Sequence, residues 1–386
     1  MTFSPEILHQ LAETYGTPMY CYDLKKVSSQ VENLQDALPN AQLRYAVKAN
    51  PNGALLKHFA SLGLGAEVIT LGELERAYRA GIASKKLLLG GPGQDVTLIS
   101  RALELGVNHV SLDSVSQWKS WQESFKSEIE SITFFPRVNP ALDPRTHEHL
   151  ATGAATSKFG MTPQEAAEVA TDLGSQLGGF HVHAGSQISS SDVYDEILTV
   201  LEPLYKRFET AHTLDIGGGF AVPGFDLNLF VKKVTRFAER FDLDLIIEPG
   251  RYLVADAGVL ISRVLHVKEG ALRHVIANAG MADLLRPALY GAQHPIRVLG
   301  KEGTQITLDV NGPLCENADR LGRDLQLPNV EQGDLLVVEQ AGAYGMAMAS
   351  NYASSLRPAE VVVEGDDIRL VRRRETVEDL IRLEDV

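Results

Sequence analysis

Eight short apolar segments alternate with amphipathic stretches between residues 43 and 248, and this alternation constrains the fold more than any other feature of the sequence. The segments predicted as strands span residues 43–48, 66–69, 86–90, 108–112, 132–137, 178–183, 212–216 and 243–248. Between them, apolar residues recur at helical spacing over residues 71–80, 97–105, 162–173 and 193–211. Eight βα units in succession predict an α/β fold, a (β/α)₈ TIM-type barrel, rather than an open doubly wound sheet.

The rhythm changes after Arg251, where shorter β-rich runs follow one another with turn residues between them. These runs span residues 258–268, 274–277, 304–309, 334–339, 359–363 and 368–372. Near the N-terminus, a helix is predicted over 5–14, and the apolar run 18–22 can add a strand to the C-terminal region. We therefore predict two domains, a barrel over 26–254 and a β-rich domain made of 1–25 and 255–386.

The composition disfavours several classes of protein. The formal net charge of −14 argues against a nucleic-acid surface, which needs a basic stripe. Cys21 and Cys315 are the only cysteines, too few and too far apart for a disulfide framework or a zinc site, and we assign no metal site. The N-terminus lacks a basic segment followed by an apolar run, and no apolar stretch reaches the ~18 residues of a membrane span. We expect a soluble cytoplasmic protein with no nucleic-acid or membrane partner.

A lysine closes the first predicted strand. Lys48 is followed by small residues and Pro51, and the carboxyl ends of strands are where α/β barrels build their active sites. Such a lysine is either a solvated charge at the end of a strand, which by itself is the commoner case, or an amine that forms a Schiff base with a carbonyl cofactor. Motifs elsewhere in the chain favour the second interpretation.

A run of three glycines, Gly217 to Gly219, follows Asp215 at the end of another predicted strand. Glycines let backbone N–H groups approach an anion without a Cβ in the way, so the run is suited to a phosphate group. The alternative is a tight left-handed turn with no ligand. The run is not a dinucleotide fingerprint, because no G-x-G-x-x-G opens a helix after the first strand.

Other polar side chains lie where the predicted strands end. Glu248 could keep a heterocyclic nitrogen protonated, which turns the ring into an electron sink, or it could form an ion pair with Arg251. His183 is suited to stacking on a flat ring, although a lone histidine is more often structural, and Ser186 offers a hydroxyl to a phosphate. Cys315 lies in a turn rich in glycine and proline and could deliver a proton, or it could be a buried apolar residue.

Motifs spread over almost the whole chain carry a family resemblance. They are Tyr45-Ala46-Val47-Lys48-Ala49-Asn50, Ser157-Lys158-Phe159-Gly160, the His183/Ser186 pair, the triple glycine, Glu248-Pro249-Gly250-Arg251, Cys315-Glu316 and Gly342-Ala343-Tyr344-Gly345. Together they resemble the fold-type III pyridoxal-phosphate decarboxylases, whose fold is an alanine racemase-like barrel plus a C-terminal all-β domain. The branch that acts on diaminopimelate is indicated by Thr146-His147, Thr152-Gly153, the 283–290 segment and Arg372-Arg373-Arg374-Glu375-Thr376.

The resemblance implies a role for each matching residue. It implies that Lys48 holds pyridoxal 5'-phosphate covalently, that His183 stacks on its ring and that Glu248 binds its ring nitrogen. The residues implied in phosphate binding or other cofactor contact are Ser186, Gly218, Gly250, Arg251 and Tyr344. Those implied in binding the amino-acid substrate are Arg251, Arg286, Tyr290, Glu316 and Tyr344, and arginine suits its distal carboxylate because the guanidinium can bond both oxygens.

The resemblance further implies that Cys315 is the proton donor and that the protein is a homodimer with shared active sites, each receiving the Cys315–Glu316 loop of the β-rich domain from the neighbouring subunit. The implied reaction is decarboxylation of meso-2,6-diaminopimelate to L-lysine and CO₂.

Two segments depart from the family pattern. Ser350-Asn351-Tyr352-Ala353-Ser354-Ser355-Leu356 stands where the family has Ser-Asn-Tyr-Asn-Ser-Arg-Pro, and Glu67-Val68-Ile69-Thr70-Leu71-Gly72-Glu73 replaces Asp-Val-Val-Ser-Gly-Gly-Glu. These changes leave open a related decarboxylase acting on another carboxylated diamine, or on a siderophore or polyamine precursor. A non-enzymatic carrier of the cofactor and a racemase are further alternatives. The long β-rich region with Cys315 and Tyr344 argues against a carrier, and no tyrosine is identified as the second base of a racemase.

Overall fold

The computed structural model describes residues 3–142 and 156–385. The helices are α1 Pro5–Tyr15, α2 Leu24–Ala37, α3 Gly53–Ser61, α4 Leu71–Arg79, α5 Val96–Glu104, α6 Val115–Ser124, α7 Pro163–Leu173, α8 Val193–Arg207, α9 Leu227–Phe241, α10 Arg251–Val254, α11 Arg286–Tyr290 and α12 Val377–Ile381. The Thr146-His147 and Thr152-Gly153 motifs lie outside the described residues.

The strands alternate with these helices over the first part of the chain and then follow one another. They are β1 Met19–Asp23, β2 Gln42–Ala46, β3 Gly65–Val68, β4 Leu87–Leu89, β5 His109–Leu112, β6 Thr133–Pro136, β7 Gly179–His181, β8 Thr213–Asp215, β9 Asp244–Ile247, β10 Gly258–Lys268, β11 Arg273–Ala277, β12 Ile296–Val298, β13 Ile306–Asn311, β14 Arg320–Leu327, β15 Leu335–Val338, β16 Ala359–Glu364 and β17 Asp367–Arg372.

Residues 30–252 form one compact unit built on a parallel barrel. Its eight strands are ordered β6-β5-β4-β3-β2-β9-β8-β7, and each neighbouring pair is parallel. Isolated parallel bridges, Phe134 with Leu177 and Arg137 with His181, link the two end strands and nearly close the ring. The predicted (β/α)₈ barrel is confirmed, and the carboxyl ends of all eight strands meet at one rim.

Side chains in the loops after the strands cap the N-termini of the covering helices. Thr70, Asp95 and Ser114 each accept a hydrogen bond from a backbone N–H in the first turn of α4, α5 and α6. At α7, Thr162 and Glu165 form a complete capping box. Because α4, α5 and α6 begin within seven residues of the strands before them, these three loops are short, whereas longer segments precede α7, α8 and α9.

Residues 1–29 and 253–386 form the second unit. Its mixed sheet follows the path β14-β13-β11-β10-β1-β16-β17, with β15 paired to both β10 and β12. β1 runs antiparallel to β10 and parallel to β16, so the predicted N-terminal strand does join the C-terminal sheet. Its core includes Met19, Cys21, Ile261 and Val361, all fully buried.

Several element boundaries differ from the sequence prediction, and two strands were not predicted. β2 ends at Ala46, and Lys48 lies in the 3₁₀ turn Val47–Ala49, so the expectation that Lys48 ends the strand itself is wrong by two residues. The chain leaves the sheet there because the Asn50 N–H closes the turn on the Val47 carbonyl. β12 and β14 were not predicted, since β12 has only three residues and β14 carries four charged or amide side chains on its eight.

No helix within residues 3–142 and 156–385 combines the length and the apolar composition that crossing a bilayer requires.

Candidate active site

Lys48 lies just beyond the carboxyl end of β2, with its amine at an acidic partner. Its Nζ is 2.8 Å from Oε2 of Glu67 on β3, and its side chain is one-third exposed. Glu73, at the start of α4, accepts the Ile69 N–H, and burial raises its pKa to about 7. The amine is thus reachable from solvent while a carboxylate holds it in one position.

Three strands that are neighbours in the barrel end in a buried polar cluster. His181 ends β7, Asp215 ends β8 and Glu248 follows β9, and His181 pairs in register with Asp215. One side-chain nitrogen or oxygen atom from each of the three lies within 4.8 Å of the other two. Among the described residues, His181 Nε2, Asp215 Oδ2 and Glu248 Oε1 are buried with no hydrogen-bond partner. The cluster therefore has unused hydrogen-bonding capacity at the rim.

The two carboxyl groups of this cluster both favour the protonated form. Burial raises the pKa of Asp215 to about 7, and burial together with the Asp215 charge raises the pKa of Glu248 well above its usual range. A protonated heterocyclic nitrogen placed at Glu248 would supply the missing donor and compensate the buried negative charge. This buried carboxyl cluster therefore fits the protonated ring nitrogen of a cofactor such as pyridoxal phosphate.

His183 has a neutral ring, and a backbone hydrogen bond fixes its tautomer. The Gly218 N–H donates to its Nδ1 at 3.2 Å, so the ring proton is on Nε2. Burial, with smaller contributions from Arg137 and Lys48, holds the pKa of this imidazole well below its usual range. A flat uncharged ring is suited to stacking on a heterocycle.

Backbone packing requires the glycine run. A Cβ at Gly218 would lie 2.2 Å from the Glu248 carbonyl oxygen, and one at Gly219 would lie 2.0 Å from the Gly185 carbonyl oxygen. Gly217 and Gly219 also have φ of +66° and +93°. The tight left-handed turn considered as an alternative is therefore present.

A set of groups suited to an anion lies beside this turn. Ser186 Oγ is 3.4 Å from Nη2 of Arg251, the first residue of α10. The guanidinium, the hydroxyl and the nearby glycine backbone together offer a phosphate group charge and hydrogen-bond donors.

Sequence reasoning missed two residues that anchor the Ser157–Gly160 motif. Asp113, just after β5, accepts the Gly160 N–H at 2.6 Å and pairs with Arg137 Nη1 at 3.2 Å. The Arg137 guanidinium lies 5.0 Å from the centre of the Phe159 ring. Both missed residues directly follow a strand, which is the signal that could have identified them.

In the β-rich unit, Cys315 is exposed in the loop between β13 and β14. Buried Asp319 supports this loop by accepting the Leu314 N–H at 2.6 Å and the Met281 N–H at 2.5 Å. The Tyr352 hydroxyl donates to Glu316 Oε1 at 2.5 Å. Asp319 and Tyr352 were not among the predicted site residues, because neither contact follows from sequence spacing.

Two of the three remaining predicted substrate residues of this unit, Arg286 and Tyr290, lie in α11. Arg286 begins α11, is buried, and donates from Nη1 to His294 Nε2 at 2.8 Å. His294 Nδ1 then donates to the Glu339 carbonyl oxygen at 3.0 Å, so this histidine is neutral. Tyr290 is exposed, and Tyr344 adopts a left-handed backbone with φ of +56°.

The predicted site residues thus fall into two groups, one in each unit. The barrel unit holds Lys48, His183, Ser186, Gly218, Glu248, Gly250 and Arg251 at its rim. The β-rich unit holds Arg286, Tyr290, Cys315, Glu316 and Tyr344. The barrel rim thus offers an amine, a set of groups suited to an anion and a buried carboxyl group. This combination suits a phosphorylated heterocycle that carries a carbonyl group. The protein therefore belongs to the class of enzymes that use such a cofactor.

Comparison with known proteins specifies the family within this class. Residues 24–255 match the family model described as pyridoxal-dependent decarboxylase, pyridoxal binding domain. A diaminopimelate decarboxylase from Deinococcus radiodurans is 37% identical over 98% of this chain and 99% of its own, and one from Zymomonas mobilis is 36% identical over 97% and 94%. The crystal structure of diaminopimelate decarboxylase from Helicobacter pylori complexed with L-lysine superposes with a TM-score of 0.92 at 34% identity, over 98% of this chain and 99% of that one.

The chain belongs to the pyridoxal-dependent decarboxylases. Its cofactor is pyridoxal phosphate, as the sequence predicted, and its chemical class is that of the carboxy-lyases.

Proposed function

We propose that this protein decarboxylates meso-2,6-diaminopimelate to L-lysine and CO₂, the last step of lysine biosynthesis, in the cytoplasm. The observation that carries the proposal is similarity over the full length of both units to diaminopimelate decarboxylases, one of which was crystallised with L-lysine. The predicted cofactor and substrate residues of the family are all present in this chain.

The barrel rim binds the cofactor. Lys48 would hold the cofactor through its amine, and Glu67, 2.8 Å from that amine, would keep it at the rim. Ser186, Arg251 and the backbone at Gly218 and Gly250 bind phosphate, while Glu248 accepts a hydrogen bond from the ring nitrogen. Bound pyridoxal phosphate supplies an electron sink for the pair released as CO₂ leaves.

The β-rich unit supplies the acid and the distal contacts. The exposed Cys315 thiol donates a proton to the carbon that has lost its carboxylate. Arg251 and Arg286 bind the distal carboxylate, Glu316 and Tyr290 bind near the distal amine, and Tyr344 contacts both cofactor and substrate. We place the Cys315–Glu316 loop in the active site of the neighbouring subunit of a homodimer.

The test is an assay of purified protein with meso-diaminopimelate and added pyridoxal phosphate, following both CO₂ and lysine. We expect equimolar production of the two. Absence of lysine from a protein that holds the cofactor, as its visible absorbance would report, would contradict the proposed substrate while leaving the cofactor assignment intact.

A second substrate class is favoured by one observation, the altered segment 350–356. Its Tyr352 hydroxyl donates to Glu316, to which we assign contact with the distal amine, and the changes at Ala353, Ser355 and Leu356 lie within four residues of Tyr352. A decarboxylase for another carboxylated diamine would turn over such a compound with a higher kcat/KM than meso-diaminopimelate. A panel of carboxylated diamines and polyamine precursors, assayed for CO₂ release, distinguishes the two.

A further inference from the structure

The buried cluster at the ends of β7, β8 and β9 contains two side chains with no role in the proposed function. Glu248 alone is assigned to the ring nitrogen, yet His181 and Asp215 each direct an unpartnered polar atom into the same place. Both are buried, at 5% and 0% exposure. Burying unpartnered polar atoms is costly, so their convergence on one carboxyl group requires an explanation.

Ser111 on β5 orients the His181 ring. Its Oγ lies 2.6 Å from His181 Nδ1, while His181 Nε2 lies 3.7 Å from Glu248 Oε2. Burial keeps the imidazole neutral by lowering its pKa well below the usual range, so the ring carries one proton. A serine hydroxyl can donate or accept a hydrogen bond, whereas an ionised Glu248 oxygen next to Nε2 can only accept one. The proton therefore belongs on Nε2, and Ser111 donates to Nδ1.

Asp215 approaches Glu248 from the neighbouring strand. Its Oδ1 accepts the Gly217 N–H at 3.0 Å, which leaves Oδ2 for Glu248. Two carboxyl groups that meet in a buried site share a proton, because neighbouring like charges oppose double ionisation. The charged groups that act on this pair are Arg44, Glu67, Lys48 and Arg137.

We propose that Asp215 and His181 are positioning residues that act through Glu248. With the positively charged ring nitrogen bound at Glu248, the shared proton lies on Asp215, which donates it as a hydrogen bond to the Glu248 carboxylate, and the His181 Nε2–H faces the same carboxylate. Glu248 is thereby held ionised and oriented toward the ring nitrogen of pyridoxal phosphate. The inference rests on the proposed role of Glu248 and adds a protonation state for each of its two buried neighbours.

Conservative variants distinguish hydrogen-bond donation to Glu248 from the effect of a negative charge at Asp215. Asp215→Asn keeps an acceptor for the Gly217 N–H and offers Glu248 a neutral donor, so it mimics the protonated aspartic acid that we assign. His181→Gln keeps an N–H near the position of Nε2. Asp215→Leu and His181→Phe have similar bulk but remove the donors.

The experiment uses the full-length protein loaded with pyridoxal phosphate that is ¹⁵N-labelled at the ring nitrogen. The ¹⁵N chemical shift reports protonation of that nitrogen, and equilibrium dialysis reports the dissociation constant of the cofactor. We expect Asp215→Asn and His181→Gln to keep the resonance position of the unaltered protein. Asp215→Leu and His181→Phe should move it toward neutral pyridine and weaken cofactor binding roughly tenfold or more, as expected for loss of a charge-assisted hydrogen bond.

Two control variants make the outcome decisive. Glu248→Gln tests the underlying role: if it leaves the resonance unmoved, the assignment of Glu248 itself fails. If Glu248→Gln moves the resonance and Asp215→Asn moves it equally, Asp215 acts as a second negative charge and our proton assignment is overturned, even if the leucine variant does not fold. His109→Phe removes a half-buried histidine at the amino end of β5, away from the carboxyl ends of the strands, and should leave the resonance unchanged.

Discussion

The two cysteines of the chain have opposite environments. Cys21 is fully buried in the core of the β-rich unit, where burial raises the pKa of its thiol far above the usual range. Cys315 is exposed on a glycine- and proline-bounded loop. Of the two thiols, only that of Cys315 can reach a substrate without unfolding.

Replacing Cys315 with Ala should therefore remove the proton donor without removing the cofactor site. We expect pyridoxal phosphate to remain bound while lysine formation falls by about two to four orders of magnitude, the usual contribution of a positioned acid. Steady-state assays and the visible spectrum of the variant test this. Cys21→Ala is the matched control and should lose some stability but keep kcat; unchanged turnover in Cys315→Ala would remove the assigned role.

Backbone strain identifies a second position at this scale. Ala353 has φ of 52° and ψ of 34°, a left-handed conformation that disfavours a Cβ, and it stands where the family pattern has asparagine. Ala353→Asn should raise the free energy of unfolding by up to about 1 kcal/mol, since asparagine tolerates this conformation. Urea denaturation measures the change. Ala271→Asn, in an exposed bend with ordinary φ, should have no effect, and an equal effect there would exclude relief of strain as the cause.

One buried carboxylate organises the Cys315–Glu316 loop. Asp319 uses both side-chain oxygens, one for Leu314 and one for Met281, and its backbone N–H donates to the Glu316 carbonyl. Cβ atoms at Gly280 or Gly312 would overlap its carboxylate, which explains glycine at both positions. The position of the proposed acid thus depends on a side chain four residues away.

Asp319→Asn should displace this loop, because the amide group would present a donor to one of two backbone N–H donors. We expect kcat to fall at least tenfold with little change in cofactor binding, and the free energy of unfolding to drop by about 1–3 kcal/mol. Kinetics, cofactor dialysis and urea denaturation separate the effects. Asp324→Asn, on the exposed side of β14, is the control. Wild-type kcat in Asp319→Asn would mean that the loop is held by other contacts.

Apolar barrel strands could be predicted from the sequence, whereas a polar strand and the meeting of distant side chains could not. Leu87–Leu89 is buried on both faces, and such short apolar runs separated by helical spacing made all eight barrel strands visible in the sequence. The polar β14 was hidden because its alternation is broken by charged residues. The meeting of His181, Asp215 and Glu248 could not be predicted from periodicity, since it depends on the order in which the strands pair and on the depth at which each ends.

Several carboxyl groups that are buried in different parts of the protein oppose stability at high pH. Burial raises the pKa of Glu73, Asp215 and Asp283 to about 7 each. A carboxyl whose pKa is higher in the folded than in the unfolded state favours folding below its unfolded pKa, near 4. That contribution is lost as pH rises toward 7. The cofactor-free protein should therefore lose stability across this range of pH.

Asp283→Asn should remove part of this pH dependence. Asparagine can still accept the Gly280 N–H, and it has no proton to lose. We expect the variant to match the unaltered protein near pH 4 and to exceed it at pH 8 by at most about 4 kcal/mol, the value of a three-unit shift. Urea midpoints of the cofactor-free proteins at both pH values measure the difference. Identical pH profiles would mean that Asp283 is ionised in the folded state.

The proposed homodimer makes a separate prediction. If each active site takes Lys48 from one subunit and Cys315 from the other, neither Lys48→Ala nor Cys315→Ala should be active alone. Mixing the two should restore up to about a quarter of wild-type activity, because half of the subunit pairs are mixed and each has one intact site. Light scattering reports the mass of the assembly. A monomeric, fully active protein would contradict shared sites.

The central position of β1 in the second sheet bears on how the chain is made. β1 leaves the ribosome before the barrel, yet its parallel partner β16 begins only at Ala359, after the whole barrel has been synthesised. The barrel is encoded by one continuous stretch, whereas the β-rich unit is encoded in two pieces that flank it. A nascent chain stopped between the end of the barrel and residue 359 therefore carries β1 with at least one edge unpaired, and this sheet is completed only after the barrel has been made.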